Sequence, residues 1–399
     1  RAEGGRFWDV EGREYIDYMG CLGASILGHR HPDYMRSLQS YTEQHSVCSA
    51  SGICYSEDDI TVAEALVKHV PCAEQVKFGV TGSEAVQLAF RLARAHTGKP
   101  YSLRFGGHYH GWTDNVFGGV PDPSPKGRPY PINADNSTAG MFPEASHQGL
   151  MIPWGYIDIL EETLQKYGHE IAIIHFEAMV CNNFLRLPPP GFLERVRELC
   201  TQYNIVMSMD EVITGFRVGL SGAQGLLGVT PDIATLGKSF GGGLPISAVV
   251  GKAEILGLLS DGKVLGPGTF NGNPLCVRSA KATLAILEQD EGAVYQEMNR
   301  VQKRLTDGLA EIAQCRAIPL RVQSVAGVFY TLFGIDPEQE QYTQEDMADF
   351  DGDMSERFTQ KMQAEGVYTL GPRWYPSIAH GDMETDRVLD AANKAMAAL

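Results

Sequence analysis

Two apolar segments near the middle of the chain decide its fold: Ile205-Val206-Met207-Ser208-Met209-Asp210 and Ile233-Ala234-Thr235-Leu236-Gly237-Lys238. We predict a buried strand in each, from Ile205 to Met209 and from Ile233 to Leu236. The first strand ends at Asp210, and the second ends just before Gly237 and Lys238. Ligands of open α/β sheets bind at the carboxyl ends of the strands. The two segments therefore predict a sheet with a binding site at that edge.

The same alternation of strand, turn and amphipathic helix continues on both sides of these segments. Further strands are predicted at 76–80, 171–176 and 246–250, and helices at 84–96 and 193–203. Thr81 and Glu84 predict a capping box at the start of the first helix. This order indicates an α/β fold with a mostly parallel sheet. We divide the chain into an N-terminal segment (1–40) that packs with the small domain, a large domain (41–274) and a smaller α+β domain (275–399).

The composition indicates a soluble globular enzyme. The 399 residues carry a net charge of −16, and Lys and Arg are spread along the chain, which argues against a surface for nucleic acid or anionic lipid. No apolar run reaches the roughly 20 residues of a membrane span. The eight cysteines are scattered singly, so a reducing compartment and a cytoplasmic location are expected.

Two further features concern a loop and the start of the chain. Pro, Gly, Ser and Asn dominate residues 120–147, which predicts a long irregular loop near the ligand-binding edge, with disorder as the alternative. The chain begins at Arg1 and enters a strand-like run at 7–10, from which we expect further residues upstream in the native protein.

Lys238 is the candidate nucleophile. Its neighbours, Leu236-Gly237 and Ser239-Phe240-Gly241-Gly242-Gly243, are small or apolar and include no carboxylate. Desolvation lowers the pKa of an amine and makes it a usable nucleophile toward an aldehyde. A surface lysine in a glycine-rich loop is the alternative that these residues alone leave open.

Asp210 is the candidate partner of a ring nitrogen. A carboxylate at a strand end can pair with a pyridinium nitrogen and keep it protonated, so that the ring accepts electrons from a carbanion. The alternative is a structural carboxylate that caps the following turn. Because Asp210 and Lys238 lie at two predicted strand ends 28 positions apart, the pair indicates chemistry more strongly than either residue alone.

Three loops are candidates for binding other parts of a ligand. The turn Thr81-Gly82-Ser83-Glu84 precedes a helix, so its backbone N–H groups suit a phosphate, with a plain helix cap as the alternative. Residues 105–112, which include Tyr109, are rich in aromatic side chains suited to stacking on a planar ligand. Thr269 lies in the turn 268–274, which by itself indicates only a loop.

Two His-x-His pairs, His29/His31 and His108/His110, are of a kind also found in zinc hydrolases. Neither pair has a nearby carboxylate or third ligand in the pattern of a zinc site. We therefore expect no metal, and a metal-dependent hydrolase remains a remote alternative function.

Taken in order, these segments resemble the class III aminotransferases, enzymes of fold type I that use pyridoxal 5′-phosphate (PLP). The resemblance covers nearly the whole chain and is most specific at Asp210–Arg217, Leu220–Gln224, Pro231–Lys238 and Gly268–Pro274. The most similar subgroup is that of glutamate-1-semialdehyde 2,1-aminomutase. The resemblance implies a large domain with a seven-stranded, mostly parallel sheet flanked by helices, and a smaller α+β domain.

The resemblance also implies roles around the cofactor ring. Lys238 would form the Schiff base and move the proton between substrate and cofactor. Asp210 would hold the ring nitrogen, while Val212 packs beneath the ring and Tyr109 stacks above it. Asn182 would lie close to the phenolic oxygen.

Other implied roles concern the phosphate and the subunit arrangement. Gly82 and Ser83 would bind the phosphate, joined by Thr269 of the neighbouring subunit. The resemblance thereby implies a homodimer with shared active sites.

Departures from the subgroup concern the substrate. The chain has Glu177-Ala178-Met179-Val180-Cys181-Asn182 where the aminomutase usually has Glu-Pro-Val-Ala-Gly-Asn, and Leu22 where a tryptophan is expected. Its segment 371–376 is shortened and carries Arg373, which either meets a substrate carboxylate as a bidentate donor or faces solvent. The stretch that holds the aminomutase's substrate-binding arginine is absent.

We therefore expect an aminotransferase that moves an amino group from a donor amino acid to a keto, aldehyde or β-keto acyl acceptor. Two half-reactions with ping-pong kinetics follow from this scheme. An aminomutase that returns the amine to the same molecule is the alternative. The chain would act as one amination step or as a domain of a larger biosynthetic enzyme.

Overall fold

The computed structural model describes residues 1–48, 54–117, 138–142, 145 and 148–399, together with the backbone of 130–131. The strands are β1 (Ala2–Glu3), β2 (Arg6–Trp8), β3 (Glu14–Asp17), β4 (Gln75–Gly79), β5 (Tyr101–Phe105), β6 (Tyr130–Pro131), β7 (Gly149–Ile152), β8 (Ile171–Phe176), β9 (Val206–Glu211), β10 (Ile233–Leu236), β11 (Ser247–Gly251), β12 (Leu320–Val325), β13 (Val328–Phe333), β14 (Val367–Tyr368) and β15 (Arg373–Trp374). The helices are α1 (Gly20–Gly23), α2 (Pro32–Gln44), α3 (Glu57–His69), α4 (Gly82–Thr97), α5 (Ile157–Tyr167), α6 (Phe192–Gln202), α7 (Gly222–Leu227), α8 (Ala253–Ser260), α9 (Pro274–Leu287), α10 (Ala293–Cys315), α11 (Gly352–Ala364) and α12 (Asp382–Ala397).

The largest sheet has the strand order β4-β11-β10-β9-β8-β5-β7-β6. Neighbours from β10 through β7 pair in parallel. Strand β11 is antiparallel to β10 and β4, and the two-residue β6 is antiparallel to β7. Apart from the short edge strand β6, the sheet has the seven-stranded, mostly parallel form that was expected, so the α/β prediction is confirmed.

The sequence of the central strands explains their position. Strand β8 reads IAIIHF, and all six residues are buried, as expected for a parallel strand covered by helices on both faces. Helix α4 lies against this sheet through a buried apolar face that includes Ala89 and Phe90. Its capping box of Thr81 and Glu84 is present as predicted, and Gly98 ends it with φ +72° in the left-handed region.

Two smaller sheets lie outside the central one. The order β1-β2-β3-β14 joins the start of the chain to residues 367–368, with Ile16 opposite Val367. The order β12-β13-β15 forms the other sheet. The domain boundaries near residues 40 and 274 stay predictions.

Some predicted elements differ from the structure in their bounds. The strand predicted at 205–209 runs from Val206 to Glu211, so Asp210 and Glu211 belong to it. The pairing of β9 with β10 extends to these residues, Asp210 opposite Thr235 and Glu211 opposite Leu236, which is why the strand continues. The predicted loop 120–147 lies largely outside the described residues. Among the described residues, none of the helices combines the length and hydropathy needed to cross a bilayer.

Candidate active site

A pocket of about 340 Å³ lies at the carboxyl-terminal edge of the central sheet. This volume is within the roughly 300–1,000 Å³ typical of small-molecule sites. The structure brings together in its lining seven residues that the sequence had suggested: Gly82, Ser83, Tyr109, Asn182, Asp210, Val212 and Lys238. Leu22, Thr269 and Arg373, which the sequence had also suggested, are not part of this lining.

Lys238 follows β10 and adopts φ +47°, a left-handed conformation that residues with a Cβ rarely take. Backbone strain of this kind is concentrated at functional sites. Burial lowers the pKa of Lys238 below its ordinary value, while the carboxylates of Asp210 and Glu177 act in the opposite direction. The conformation and the environment together make its amine a candidate nucleophile in the pocket.

Asp210 is buried at the carboxyl end of β9, where polar groups surround its carboxylate. Its Oδ2 lies 2.8 Å from Nδ1 of His110 and 3.5 Å from Nε2 of His175, and its Oδ1 accepts the N–H of Val212 at 3.1 Å. Burial alone would raise the pKa of Asp210, but the two histidine contacts outweigh burial and lower it. Asp210 is therefore an ionised carboxylate with acceptor capacity left on Oδ1.

His110 stabilises the negative charge of Asp210 as a neutral hydrogen-bond donor. Burial and the neighbouring His175 ring lower the pKa of His110 to about 3. In the neutral ring only one nitrogen carries a proton, and the 2.8 Å contact with Asp210 assigns that proton to Nδ1. The proton therefore stays on the histidine, and the negative charge stays on the aspartate.

Glu177 is a pocket residue that the sequence analysis did not single out. Its Oε1 accepts the backbone N–H of Tyr109 at 2.9 Å and the side-chain amide of Asn182 at 3.0 Å. Burial and the nearby charge of Asp210 raise its pKa to about 7. Glu177 thus ties two lining residues together. Its place directly after β8 was the available signal.

The other side of the pocket is made by the start of α4. The first N–H groups of a helix have no partner within the helix, so the backbone of Gly82 and Ser83 suits an anion. A Cβ added at Gly82 would lie 3.1 Å from Val212 Cγ2, and one at Gly237 would lie 3.3 Å from Val212 Cγ1. One added at Gly111 would lie 2.4 Å from Ser83 Oγ. The space beside the helix start and Val212 therefore depends on glycine.

The turn that follows Asp210 is held in place by the next residue, Glu211. The buried carboxylate of Glu211 accepts from the backbone N–H groups of Ala223 and Gln224, from the Gln224 amide and from the Thr214 hydroxyl. A Cβ at Gly222 would lie 2.3 Å from Glu211 Oε2. These contacts lock the turn after β9 onto α7 and keep Asp210 and Val212 in place.

Arg217 connects the same turn to distant parts of the chain. It is fully buried and donates to the carbonyl oxygens of Gly23, Gly327 and Pro376 at 2.6 to 3.1 Å. Gly23 also accepts from the hydroxyl of Ser239, the residue after Lys238, at 3.1 Å. The N-terminal segment and the C-terminal part are thereby held beside the pocket.

Arg373 is half-buried and contacts Asn182, one of the residues that line the pocket. Its guanidinium donates to Asn182 Oδ1 at 3.3 Å, to the Asn182 carbonyl at 2.9 Å, to Tyr375 Oη at 3.2 Å and to Tyr330 Oη. The guanidinium of Arg373 thus has neighbouring protein oxygens as partners, and the side chain is half-buried. Asn182 connects Arg373 to Glu177 and so to the pocket.

Leu22 and Thr269 are exposed to solvent. Leu22 has 50% of its surface exposed and φ +56°. Thr269 is exposed within a loop whose neighbours Leu265 and Asn271 line a second, larger cleft. Neither side chain is among the residues that line this pocket.

The histidines of the two His-x-His pairs have different partners. His29 contacts Asp17 at 2.9 Å, and His108 accepts the backbone N–H of Glu177. Within the described parts of the chain, one group offers three ligand-type atoms within 4.8 Å of one another: His110, His175 and Asp210. This group consists of the pocket residue Asp210 and the two histidines next to its carboxylate.

These features fit PLP at three points. The amine of Lys238 suits its aldehyde, the ionised Asp210 suits its ring nitrogen, and the glycine-bordered start of α4 suits its phosphate. The fold and the site define the class as an α/β enzyme with a PLP-type pocket. A sequence profile described as aminotransferase class III matches residues 1–391. The chain therefore belongs to the class III aminotransferases, which depend on PLP.

Solved structures of similar fold include enzymes with different reactions. An omega-transaminase from Sphaerobacter thermophilus is 26% identical, with 100% of this chain and 90% of that chain covered and a TM-score of 0.87. A glutamate-1-semialdehyde aminomutase from Pseudomonas aeruginosa is 20% identical, covers 100% and 86%, and has a TM-score of 0.84. An N-acetylornithine aminotransferase from Stenotrophomonas maltophilia is 24% identical, covers 100% and 94%, and has a TM-score of 0.78.

Proposed function

We propose that this aminotransferase moves an amino group from a donor amino acid to a keto, aldehyde or β-keto acyl acceptor in two half-reactions. The observation that carries the proposal is that Lys238 and Asp210 line one pocket beside the start of α4, where burial lowers the pKa of Lys238 and the histidine contacts, which outweigh burial, lower the pKa of Asp210. PLP supplies, when bound, an electron-poor ring that stabilises a carbanion at the substrate carbon. The protein supplies positioning and proton transfer.

Lys238 is proposed to hold the cofactor through its side-chain nitrogen. With its amine free, Lys238 would act as the base that moves a proton at the substrate carbon. Its lowered pKa favours the neutral amine that both tasks require.

The remaining lining residues are proposed to orient the ring and exclude water. Val212, which has Gly82 and Gly237 in contact range, would pack beneath the ring, and Tyr109 would stack above it. Asp210 would accept the ring N–H through Oδ1, which among the described residues also accepts the N–H of Val212. Asn182 would lie near the phenolic oxygen.

The phosphate is proposed to lie at the start of α4. Gly82 and Ser83 would donate backbone N–H groups, and Thr269 of a second copy would join them. Exposure of Thr269 outside this chain's own pocket supports a shared site in a homodimer. We further propose a cytoplasmic enzyme that serves as one amination step, alone or within a larger biosynthetic protein.

Arg373 is proposed to bind the carboxylate of the donor. Its guanidinium is oriented by Tyr330, Tyr375 and Asn182, and a carboxylate that replaces the Asn182 oxygens would gain a charged, bidentate partner. A hydrogen bond between charged groups contributes about 1.5–3 kcal/mol, so loss of the pair corresponds to about 10- to 100-fold in KM.

We expect Arg373→Met to raise KM for amino acid donors by about 10- to 100-fold, with an amine donor that lacks a carboxylate changed less than about twofold. Steady-state kinetics with both donor types measure this difference. Arg373→Lys is the matched control, because it keeps the charge and loses the planar fork. Equal losses for both donor types would assign Arg373 a structural role instead.

The first half-reaction, in which the donor amino acid reacts with the PLP enzyme, tests the proposed reaction. Incubation of the PLP enzyme with single amino acids and no acceptor should convert bound cofactor to pyridoxamine phosphate with release of the corresponding keto acid, both visible by mass spectrometry. Addition of candidate carbonyl acceptors should then reverse the change. If a semialdehyde were isomerised with no external donor and no amino acid converted the cofactor, the aminomutase alternative would be correct.

A further inference from the structure

His175 is a polar residue in the middle of a buried apolar strand. It is the fifth residue of β8, IAIIHF, and its side chain is 0% exposed. Burial of a polar ring is costly unless hydrogen bonds satisfy it. The partners of this ring therefore indicate why a histidine is tolerated there.

One side of the ring faces Ser208. His175 and Ser208 are directly opposite each other in the parallel pair β8 and β9, and His175 Nδ1 lies 2.9 Å from Ser208 Oγ. Ser208 is itself fully buried and lies two residues before Asp210 on the same face of β9. The strand register thus places serine, histidine and aspartate in one row.

The other side of the ring faces Asp210. His175 Nε2 lies 3.5 Å from Asp210 Oδ2, the oxygen that also receives the His110 contact at 2.8 Å. The two imidazole rings are 4.4 Å apart, and Phe90 of α4 packs edge-on against His175 at 5.3 Å. Ser208, His175 and Oδ2 of Asp210 are therefore enclosed by protein. The other carboxylate oxygen of Asp210, Oδ1, lies toward the pocket.

The tautomer of His175 follows from these contacts. If the Ser208 hydroxyl donates to Nδ1, the ring proton lies on Nε2 and points at the carboxylate. With the proton on Nδ1, the Nε2 lone pair would face a negative oxygen at 3.5 Å in a dry environment, which is repulsive. Of the two neutral tautomers, only the one with the proton on Nε2 makes both contacts favourable.

We propose that His175, which contacts the Ser208 hydroxyl on one side and faces the Asp210 carboxylate on the other, is a positioning residue that keeps Asp210 ionised and aims its Oδ1 at the ring nitrogen of the cofactor. This inference rests on the proposed role of Asp210. His110 contacts Oδ2 at hydrogen-bond distance, 2.8 Å, whereas His175 Nε2 lies 3.5 Å from the same oxygen without a hydrogen bond, so its effect on Oδ2 is electrostatic. Oδ1, which accepts the Val212 N–H at 3.1 Å, keeps one acceptor site for the pocket.

Nitrogen NMR of histidine-labelled protein tests the tautomer without any dependence on turnover. In the apoprotein we expect His175 to carry its proton on Nε2 alone, and Ser208→Ala to weaken this preference without abolishing it, because the Asp210 carboxylate still faces Nε2. A His175 signal with the proton on Nδ1, or on both nitrogens, would overturn the proposal. The His175→Phe spectrum assigns the signal by its disappearance.

The effect on the cofactor is read with ring-15N-labelled PLP. In the wild-type holoenzyme the ring nitrogen should be protonated, and in His175→Phe it should lose protonation at neutral pH. We expect the PLP dissociation constant to rise and kcat to fall about tenfold, with KM within twofold. His175→Gln keeps a hydrogen-bond donor, the side-chain amide, at that place. Its kcat should therefore regain at least half of the fall, measured on a logarithmic scale.

The outcomes separate this inference from the proposed function. An unchanged ring-nitrogen shift and kcat within twofold of wild type in His175→Phe would overturn the positioning role, even if Lys238 and Asp210 act as proposed. If His175→Phe did not fold, Ser208→Ala would decide, because loss of one buried hydroxyl should reproduce the nitrogen shift in smaller measure. An unprotonated ring in wild type would instead contradict the role of Asp210.

Discussion

Lys238→Ala is expected to reduce turnover by about 10⁴-fold or more, because the substitution removes both the group that holds the cofactor and the base that moves the substrate proton. Binding of PLP through the phosphate site should persist at lower affinity. The measurement is kcat of the PLP-saturated variant against wild type, with the donor half-reaction followed separately by mass spectrometry.

The matched control is Lys263→Ala, since Lys263 is an exposed lysine outside the pocket. It should leave turnover within about twofold of wild type, as expected for a surface substitution. Thermal unfolding of both variants shows whether the fold is kept. A folded Lys238→Ala variant with more than a few per cent of wild-type turnover would contradict the assignment of the nucleophile.

Asp210→Asn is expected to slow the proton-transfer step by about 100- to 1,000-fold, the range seen when a preorganised electrostatic partner is lost. The amide is neutral, so it cannot hold a positive ring nitrogen as a carboxylate does. It must also present either an oxygen or an NH2 group to His110, which donates from Nδ1 to the present Oδ2. The ring would therefore be a weaker electron sink.

Loss of deuterium from a Cα-deuterated donor measures this step directly. Asp232→Asn is the control, because Asp232 is buried to a similar degree, 5% exposed against 6% for Asp210, but pairs with Arg197 and Lys252 away from the pocket. We expect that control to lower stability with little change in exchange rate. Unchanged exchange in Asp210→Asn would count against its pairing with the ring.

The central sheet and the pair Asp210 and Lys238 were predictable because their signals are local. Buried parallel strands read as continuous apolar runs, and a polar residue at the end of such a run is visible in the sequence. The capping box at Thr81 and Glu84 is likewise encoded within four residues. Prediction of these elements requires no knowledge of the contacts across the sheet.

Other parts of the site depend on contacts between distant residues. The meeting of His175 with Ser208 is set by the register of β8 and β9, which a single sequence does not display. The Arg373 contact with Asn182 spans 191 positions, so the arginine looked equally suited to solvent from its neighbours alone. Glu177 gave a weak signal at a strand end, but its contacts with Tyr109 and Asn182 required the fold.

The proposed function requires one covalent attachment, between PLP and Lys238, which can be detected directly. The protein as purified, supplied with PLP, is reduced with borohydride, digested and analysed by peptide mass spectrometry. We predict a pyridoxyl phosphate group on Lys238 in the peptide that contains Gly237 and Ser239, and on no other lysine in proportion to the bound cofactor. The label on a different lysine, or no label despite bound PLP, would contradict it.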